Sequence, residues 1–358
     1  MEKERSKIMK SSGMVGEKLQ SSWSDIPVEL ASLILSHMPY KDHVAFRATC
    51  KSWSSVIAFH GQHRSPLLLL LQGDQYRLFN PIYSTYRMPI QQPPTLKILC
   101  SNFGWLLMGA SLASDPSIFF YNLFTNVRID LPNLPPNLLH NTKFSFSSSP
   151  TSSDCFVVGV TVIYIYAHVG VIKLGENDWT VVDKIDFTTF VKPFLMSECN
   201  PVLHNGQCFC LDIDGKVVMF DPNDPKATWR ICGKSFSRKS RTRRAFMVES
   251  DGELLAVAVN GEEGRICVYK LHSSKMEWIT VSDLGSKILY LSYNGSWADT
   301  TSFKGMGNKI YFPKFQGNRL VFYSLDTRNY HSYGDEFWSK NAYNLSESVY
   351  STWIKPMF

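Results

Sequence analysis

The order of apolar and polar positions divides the chain into a short helical stretch followed by a long stretch of strands. Within residues 23–58, Ser24 or Asp25 can cap a first helix that has Pro27 in its first turn and ends at Pro39. Two shorter helices are expected to follow it. The apolar residues that recur at helical spacing in the first helix are Leu30, Leu33, Ile34 and Met38.

From Leu67 onward the pattern changes to short strands separated by turn residues. Asn-Gly and Asp-Gly pairs in this region predict tight hairpins, because both central residues of such a turn need positive φ. These pairs are Asn205-Gly206, Asp214-Gly215, Asp251-Gly252, Asn260-Gly261 and Asn294-Gly295.

A weak repeat runs through the strand region, with an apolar strand, a polar turn, an aromatic or apolar marker and a second short strand in each unit. The markers are Tyr86, Val127, Trp179, Trp229, Trp278 and Tyr330, at successive intervals of 41, 52, 50, 49 and 52 residues. This period in an all-β chain predicts a propeller, and six units predict six blades whose recurring Trp fills the blade interface. The alternative is an irregular pair of β-sandwiches.

Composition agrees with a packed protein of this kind. The chain has 358 residues, of which 44% are hydrophobic and 13% aromatic. A net charge of +6 without a concentrated basic stripe predicts no nucleic-acid partner.

The first 20 residues are charged and lack an apolar core, so we expect a flexible lead, no signal peptide and an intracellular protein of the nucleus or cytoplasm. The apolar run Leu67–Leu71 is too short to span a membrane.

The eight cysteines contain no Cys-x-x-Cys pair, which argues against a zinc ribbon or a thioredoxin-like site. Cys208 and Cys210 are expected on one strand face as small buried hydrophobic residues with reduced thiols.

Residues 24–57 resemble an F-box. The residues that carry the resemblance are Ile26, Pro27, Glu29, Leu30, Ile34, Leu35, Met38, Pro39, Phe46, Arg47, Cys50, Lys51 and Trp53, with Ile26 and Met38 standing where the family usually has Leu. The resemblance implies docking on the Skp adaptor, which bridges to a cullin scaffold and so to a ubiquitin-conjugating enzyme. The implied Skp contacts are Pro27, Leu30, Ile34, Leu35, Pro39, Cys50 and Trp53, whereas Leu33 and Ile57 are expected in the core of the module.

The strand region is similar to that of plant F-box proteins of the KIB type, whose C-terminal domain is a kelch-like propeller. The segments that carry this similarity are Cys100–Leu106, Asn122–Asn126, Asp130–Pro132, Asn205–Asp212 and Gly307–Phe312. They support a propeller and a plant origin without identifying a target.

A cluster of positive charge is a further candidate site. Arg238, Lys239, Arg241, Arg243 and Arg244 place five cations in seven residues, which predicts either a nuclear-import signal or a patch for an acidic partner, or else a solvated loop between blades.

Catalytic chemistry is not indicated by the sequence. Asp212 and Asp214 could share a strand face as paired carboxylates, but Asp214-Gly215 fits a hairpin turn better and no acid or base completes a mechanism. The nine histidines are scattered, and no metal or cofactor site is expected.

The sequence therefore predicts a mainly β protein with a flexible charged N-terminus at residues 1–22, a small three-helix F-box at 23–58, a linker at 59–66 and a kelch-like β-propeller at 67–358. The predicted function is that of a non-catalytic substrate adaptor of a ubiquitin ligase. The alternatives are a propeller that binds a small molecule or glycan, with the helical module used for oligomerisation, and a propeller enzyme.

Overall fold

The chain folds into two units, Met1–Gln62 and His63–Phe358. The computed structural model describes residues 23–38, 45–54, 56, 66–72, 75–79, 85–87, 96–110, 116–163, 166–186, 194–224, 229–232, 235–236, 242–261, 264–301, 305–317, 319–332, 338–342, 345–348 and 351–355.

The first unit contains the predicted helices. A 3-10 turn, Trp23–Asp25, precedes helix α1, Val28–His37, and is followed by α2 at residues 45–48 and α3, Lys51–Ser54. The predicted cap of α1 was wrong, because the N-cap is Pro27 and not Ser24 or Asp25. Pro27 suits this position because its ring fixes φ, here at −50°, and its carbonyl oxygen accepts the Ala31 N–H at 3.0 Å. Pro39 lies outside the described residues.

A very small core holds the helices together. Its buried members are Ala31, Leu35, Phe46 and Val56, with Ile26, Met38 and Trp53 packed partly against them. The rings of Phe46 and Trp53 stack at a centroid distance of 4.4 Å. A core of this size cannot cover both sides of α1, so one side of that helix remains exposed.

The described strands of the second unit form six sheets. Blade 1 contains β1 (Leu67–Gln72), β2 (Gln75–Phe79), β3 (Thr85–Arg87) and the last strand, β27 (Thr352–Ile354). Blade 2 contains β4 (Leu96–Asn102), β5 (Trp105–Ala110), β6 (Ile118–Asn122) and β7 (Val127–Leu131). Blade 3 contains β8 (Lys143–Phe146), β9 (Phe156–Ile163), β10 (Tyr166–Lys173) and β11 (Thr180–Asp186). A short 3-10 turn, Pro136–Leu138, precedes β8.

Blade 4 contains β12 (Val202–His204), β13 (Gln207–Leu211), β14 (Val217–Phe220) and β15 (Arg230–Cys232). Blade 5 contains β16 (Thr242–Ser250), β17 (Glu253–Asn260), β18 (Arg265–His272) and β19 (Glu277–Val281). Blade 6 contains β20 (Lys287–Tyr290), β21 (Trp297–Thr300), β22 (Lys309–Gln316), β23 (Arg319–Ser324), β24 (Asn329–Ser332), β25 (Trp338–Ser339) and β26 (Ser346–Glu347).

The inner strands β27, β4, β8, β12, β16 and β21 contact one another in that order, so the sheets form a ring around a central channel. This arrangement confirms the predicted six-bladed propeller. Blade 6 departs from the common plan, because β20 pairs in parallel with β22 and carries β21 as an extra antiparallel strand on its channel side.

The repeat markers lie on the outermost conventional strand of each blade or directly before it. Three of them donate a side-chain hydrogen bond to a backbone carbonyl of the preceding blade. These bonds join Trp179 to Pro132 at 3.0 Å, Trp278 to Gly215 at 2.6 Å and Tyr330 to Gly264 at 2.8 Å. Trp179 and Trp278 therefore bind neighbouring blades together, as the repeat predicted for its tryptophans, and Tyr330 does the same.

Two of the predicted hairpins have positive φ at both central residues, Asn205-Gly206 and Asp251-Gly252. A third turn of this kind, Phe103-Gly104, carries no Asn or Asp and was missed by the sequence pattern. The prediction for Asn294-Gly295 was wrong, since neither residue has positive φ and the pair joins β20 to β21 inside the channel.

The C-terminal strand β27 closes the ring by pairing with β1, with Trp353 opposite Leu68. Trp353 is fully buried, and its indole N–H donates to the carbonyl of Leu291 at 3.2 Å. Its backbone N–H donates to the Ser292 hydroxyl at 3.3 Å. One residue thus joins the last strand to both blade 1 and blade 6.

We expect Trp353→Ala to lower the free energy of unfolding by about 3–5 kcal/mol, because it leaves a large cavity at the closure. Ile279→Ala, on the half-exposed face of β19, is the matched control and should change it by about 0.5 kcal/mol or less. Urea denaturation followed by circular dichroism measures both, and equal effects of the two substitutions would contradict the closing role of Trp353.

Candidate functional site

An exposed apolar face lies along α1 and the turn before it. Its members are Trp23, Val28, Leu30, Leu33 and Ile34, which are 76%, 56%, 53%, 44% and 40% exposed. We call these five residues the α1 face. Solitary exposed apolar residues are ordinary, but five on one short segment form an exposed apolar patch, a feature that is typical of interaction surfaces.

The residues implied as Skp contacts do not all lie on the surface. Pro27, Leu30 and Ile34 are exposed, whereas Leu35 is fully buried in the core of the unit. The expectation that Leu33 belongs to the core was wrong, because its side chain is exposed. Helical spacing places all these residues on two adjacent sides of α1, and it could not decide which side the small core would take. Ile57, like Pro39, is outside the described part of the chain.

Cys50 and Trp53 lie at the start of α3 and are half-buried. The Cys50 thiol lies 3.0 Å from the Ser52 hydroxyl and donates to it, because the single hydroxyl proton of Ser52 is donated to the carbonyl of Ser24, also at 3.0 Å. The bond to Ser24 fixes α3 against the first turn. The Trp53 indole nitrogen is buried without a hydrogen-bond partner, so this ring is held by its stacking on Phe46.

In the propeller, residues 291–296 leave blade 6 and cross the central channel; we call them the plug. The Asn294 carbonyl accepts the N–H of Ser101 in blade 2 at 2.6 Å, and the Tyr293 carbonyl accepts the N–H of Asn200 in blade 4 at 3.2 Å. The Tyr293 ring stacks on Phe246 of blade 5 at 5.7 Å. The plug therefore contacts blades on both sides of its own.

Gly295 is required by this crossing. A Cβ atom at residue 295 would lie 2.9 Å from the Thr352 hydroxyl and 3.0 Å from both Cβ and the carbonyl oxygen of Ser101. Only glycine lets the plug pass between blades 1 and 2 at this distance.

The plug separates two cavities of about 310 Å³ each. The carboxyl-end cavity lies where the inner strands β4, β8 and β16 end. Its lining includes Ser101, Phe103, Ser145, Asn200, Trp297 and Lys355. The amino-end cavity lies where these strands begin, and its lining includes Tyr76, Lys97, Lys143, Glu198 and Tyr293. Burial lowers the pKa of Lys143 in the amino-end cavity.

The basic cluster is only partly within the described residues. Arg238, Lys239 and Arg241 lie outside them, and Arg243 is described only as part of β16. Arg244 does not extend freely into solvent, because its guanidinium forms an ion pair with Glu347 and lies 5.8 Å from the centre of the Tyr293 ring. Lys314 approaches the same carboxylate at 3.6 Å. Arg244 therefore has a structural partner and adds little to a docking patch.

Asp212 and Asp214 belong to a turn and not to a pair of reacting carboxylates. Asp212 is buried, and its Oδ1 accepts the N–H groups of Asp214 and Lys216 at 2.8 and 2.7 Å. Burial raises the pKa of the Asp212 carboxyl from its ordinary 3.8 to about 6, against the opposing effect of these hydrogen bonds and of Lys216. This carboxyl organises the β13–β14 connection.

Cys208 and Cys210 are buried free thiols on β13, as predicted. Within the residues that the structure describes, no group of three or more His, Cys, Asp or Glu side chains is placed to hold a metal ion. No helix in the described part is long and apolar enough to cross a membrane.

Comparison with known proteins agrees with this architecture. Residues 75–339 match the KIB1-4 beta-propeller family, and residues 23–62 match the F-box domain. The chain is 28% identical to the F-box/kelch-repeat protein At1g57790 of Arabidopsis thaliana, over 95% of this chain and 96% of that protein. It is 25% identical to the Arabidopsis thaliana F-box protein At4g00893, over 88% of this chain and 82% of that protein.

The molecule is thus a propeller protein with an N-terminal helical module. It belongs to the KIB1-4 beta-propeller family and carries an F-box.

The raised pKa of Asp212 predicts a pH-dependent stability. The unfolded chain loses this proton near pH 4 and the folded chain near pH 6, so this group lowers stability progressively as pH rises from 4 to 6. The full effect, about 3 kcal/mol at most, persists above that range. The free energy of unfolding of the wild type, relative to Asp212→Asn, should therefore fall between pH 4 and pH 7. Urea titrations at both pH values measure it, and a constant difference would contradict the assignment.

Proposed function

We propose that this chain is the substrate-recognition adaptor of an SCF-type (Skp-cullin-F-box) ubiquitin ligase. Its F-box unit docks on a Skp adaptor, and its propeller binds a target protein for ubiquitination. The observation that carries this proposal is the α1 face in a unit that matches the F-box.

The energetics favour a protein partner for the α1 face. Full burial of a Leu or Ile side chain contributes about 1.5–3 kcal/mol. Leu30 and Ile34 each have about half of that still available, and Trp23 has more because most of a large ring is exposed. A partner groove that covers these three residues gains several kcal/mol from apolar area alone, before any polar contact.

The contacts divide into two groups by their position in the unit. Pro27, Leu30 and Ile34 touch Skp directly, together with neighbours on the α1 face that the resemblance did not include, such as Leu33. Leu35 contributes to Skp binding indirectly, because it packs α1 on the small core. Trp53 acts in the same way through its stacking on Phe46.

The chain contributes proximity and no catalytic group. Through Skp and the cullin scaffold, a target held by the propeller is brought near the charged conjugating enzyme. Tethering of this kind raises the effective concentration of target lysines to the millimolar range for short connections. Ubiquitin transfer is performed by other subunits.

The proposal predicts that the α1 face is required for Skp binding. Leu30→Asp combined with Ile34→Asp should weaken binding by at least about 30-fold, because two charges would be buried in an apolar contact. Titration of purified Skp adaptor against the full chain, followed by calorimetry, measures the change.

Val127→Asp is the matched control, since Val127 is equally exposed but lies on β7 of the propeller. It should leave Skp affinity unchanged. The proposal fails if the wild-type chain does not bind Skp where a known F-box does. If the wild type instead self-associates in sedimentation and the double variant does not, the α1 face serves oligomerisation.

A further inference from the structure

We propose that the carboxyl-end cavity is the target-binding site of the propeller and that it takes an uncharged polypeptide segment. The segment rests on the plug, with Ser101 and Asn200 bonding its backbone and Phe103 packing on one of its side chains. This inference rests on the proposed function, in which the propeller recognises a protein.

Two buried polar atoms beside the plug have no partner. The Ser101 side chain is 4% exposed and its hydroxyl makes no hydrogen bond. The Asn200 side-chain carbonyl is also buried and unpaired, while its amide nitrogen donates to the Leu99 carbonyl at 2.8 Å. Both residues line the cavity. Each unpaired group costs about 1–3 kcal/mol, which a ligand with matching groups would recover.

The chemistry of these two atoms matches a peptide unit. A hydroxyl can donate to a backbone carbonyl, and an amide oxygen can accept a backbone N–H. The backbones of Ser101 and Asn200 are themselves fixed by their bonds to the plug at 2.6 and 3.2 Å. The two backbones are therefore fixed before any ligand arrives. The unpaired side-chain atoms are buried just beneath the cavity surface, so each side chain rotates toward the ligand to form its bond.

The charged side chains that line this cavity, Lys355 and Glu249, each have a partner within the protein. The Lys355 ammonium lies 3.3 Å from Asp299, and the Glu249 carboxylate accepts the Gly252 N–H at 2.7 Å. The remaining lining is neutral, with serines and the aromatic residues Phe103 and Trp297. The amino-end cavity differs, because Lys97, Lys143 and Glu198 line it. An uncharged segment is thus favoured at the carboxyl end.

Phe103 supports the same site through its backbone. Its φ is +48°, a left-handed conformation that bulky side chains rarely adopt. The corresponding first residues of the hairpins in blades 4 and 5 are Asn205 and Asp251, which tolerate this conformation. Strain of this kind persists where a side chain has a function. Here it holds a half-buried aromatic ring at the cavity edge, beside Phe146.

The size of the cavity favours a protein segment over a free small molecule. At about 310 Å³, it lies at the lower limit of the roughly 300–1,000 Å³ range of small-molecule sites. It has room for one or two side chains with their peptide unit, while the rest of a bound protein can extend over the hairpins around the opening.

The experiment selects random 12-residue peptides displayed on phage against the full chain and measures the affinity of the selected peptides by fluorescence anisotropy. Selected peptides should share an apolar or aromatic residue without neighbouring charges. Ser101→Ala and Phe103→Asn should each raise the Kd about five-fold or more, as expected for a lost hydrogen bond or aromatic contact. Ser101→Ala should not lower the thermal midpoint, because it removes an unpaired buried hydroxyl.

Lys143→Gln, in the amino-end cavity, is the matched control and should leave the Kd unchanged. The inference is overturned if no peptide is enriched, if enriched peptides are acidic and depend on Lys143, or if Ser101→Ala lowers the thermal midpoint. It is also overturned if only an uncharged small molecule binds. Skp affinity should be the same in Ser101→Ala as in wild type. A wild-type chain that binds Skp but enriches no peptide would refute this inference alone, whereas a wild-type chain that does not bind Skp would refute the proposed function.

Discussion

The propeller depends on the packing and hydrogen bonding of Trp353. This buried residue lies on the last strand, opposite Leu68 of the first strand. Its indole N–H donates to the Leu291 carbonyl and its backbone N–H to the Ser292 hydroxyl, at the start of the plug. A ring of blades has no free sheet edge at its closure only if the two ends of the domain meet. Here the same contact also anchors the segment that fills the channel, so closure and channel architecture are fixed together.

The plug divides the channel into two cavities whose linings differ in charge. Lys97, Lys143 and Glu198 line the amino-end cavity, whereas the lining of the carboxyl-end cavity is mostly neutral. This arrangement has a cost in free energy. The backbone N–H groups of Ser101 and Asn200 bond to the plug, while a side-chain atom of each residue stays buried and unpaired. Gly295 is the residue that makes the crossing possible, since any side chain would collide with Ser101 and Thr352. The cavity at the carboxyl end therefore combines a rigid floor with unused hydrogen-bonding capacity.

The helical unit covers its apolar side chains less completely than the propeller does. The propeller covers its apolar residues by stacking blades, and marker residues such as Trp179 and Trp278 add hydrogen bonds to the preceding blade. Among its described residues, the helical unit has four buried apolar side chains and leaves the α1 face uncovered. Its exposed surface follows from its small core, and the proposed adaptor function uses that surface.

The sequence by itself determined what depends on local pattern: the helices of residues 23–58, the period of the blades, the interface role of Trp179, Trp278 and Tyr330, and two of the hairpins. Tertiary structure alone decided which side of α1 is buried, so Leu35 is in the core and Leu33 is not. It also decided that Asn294-Gly295 crosses the channel, that Arg244 pairs with Glu347 and that Ser101 is left without a partner. Each of these outcomes joins residues far apart in the chain, and a local pattern of apolar and polar positions contains no information about which distant groups will meet.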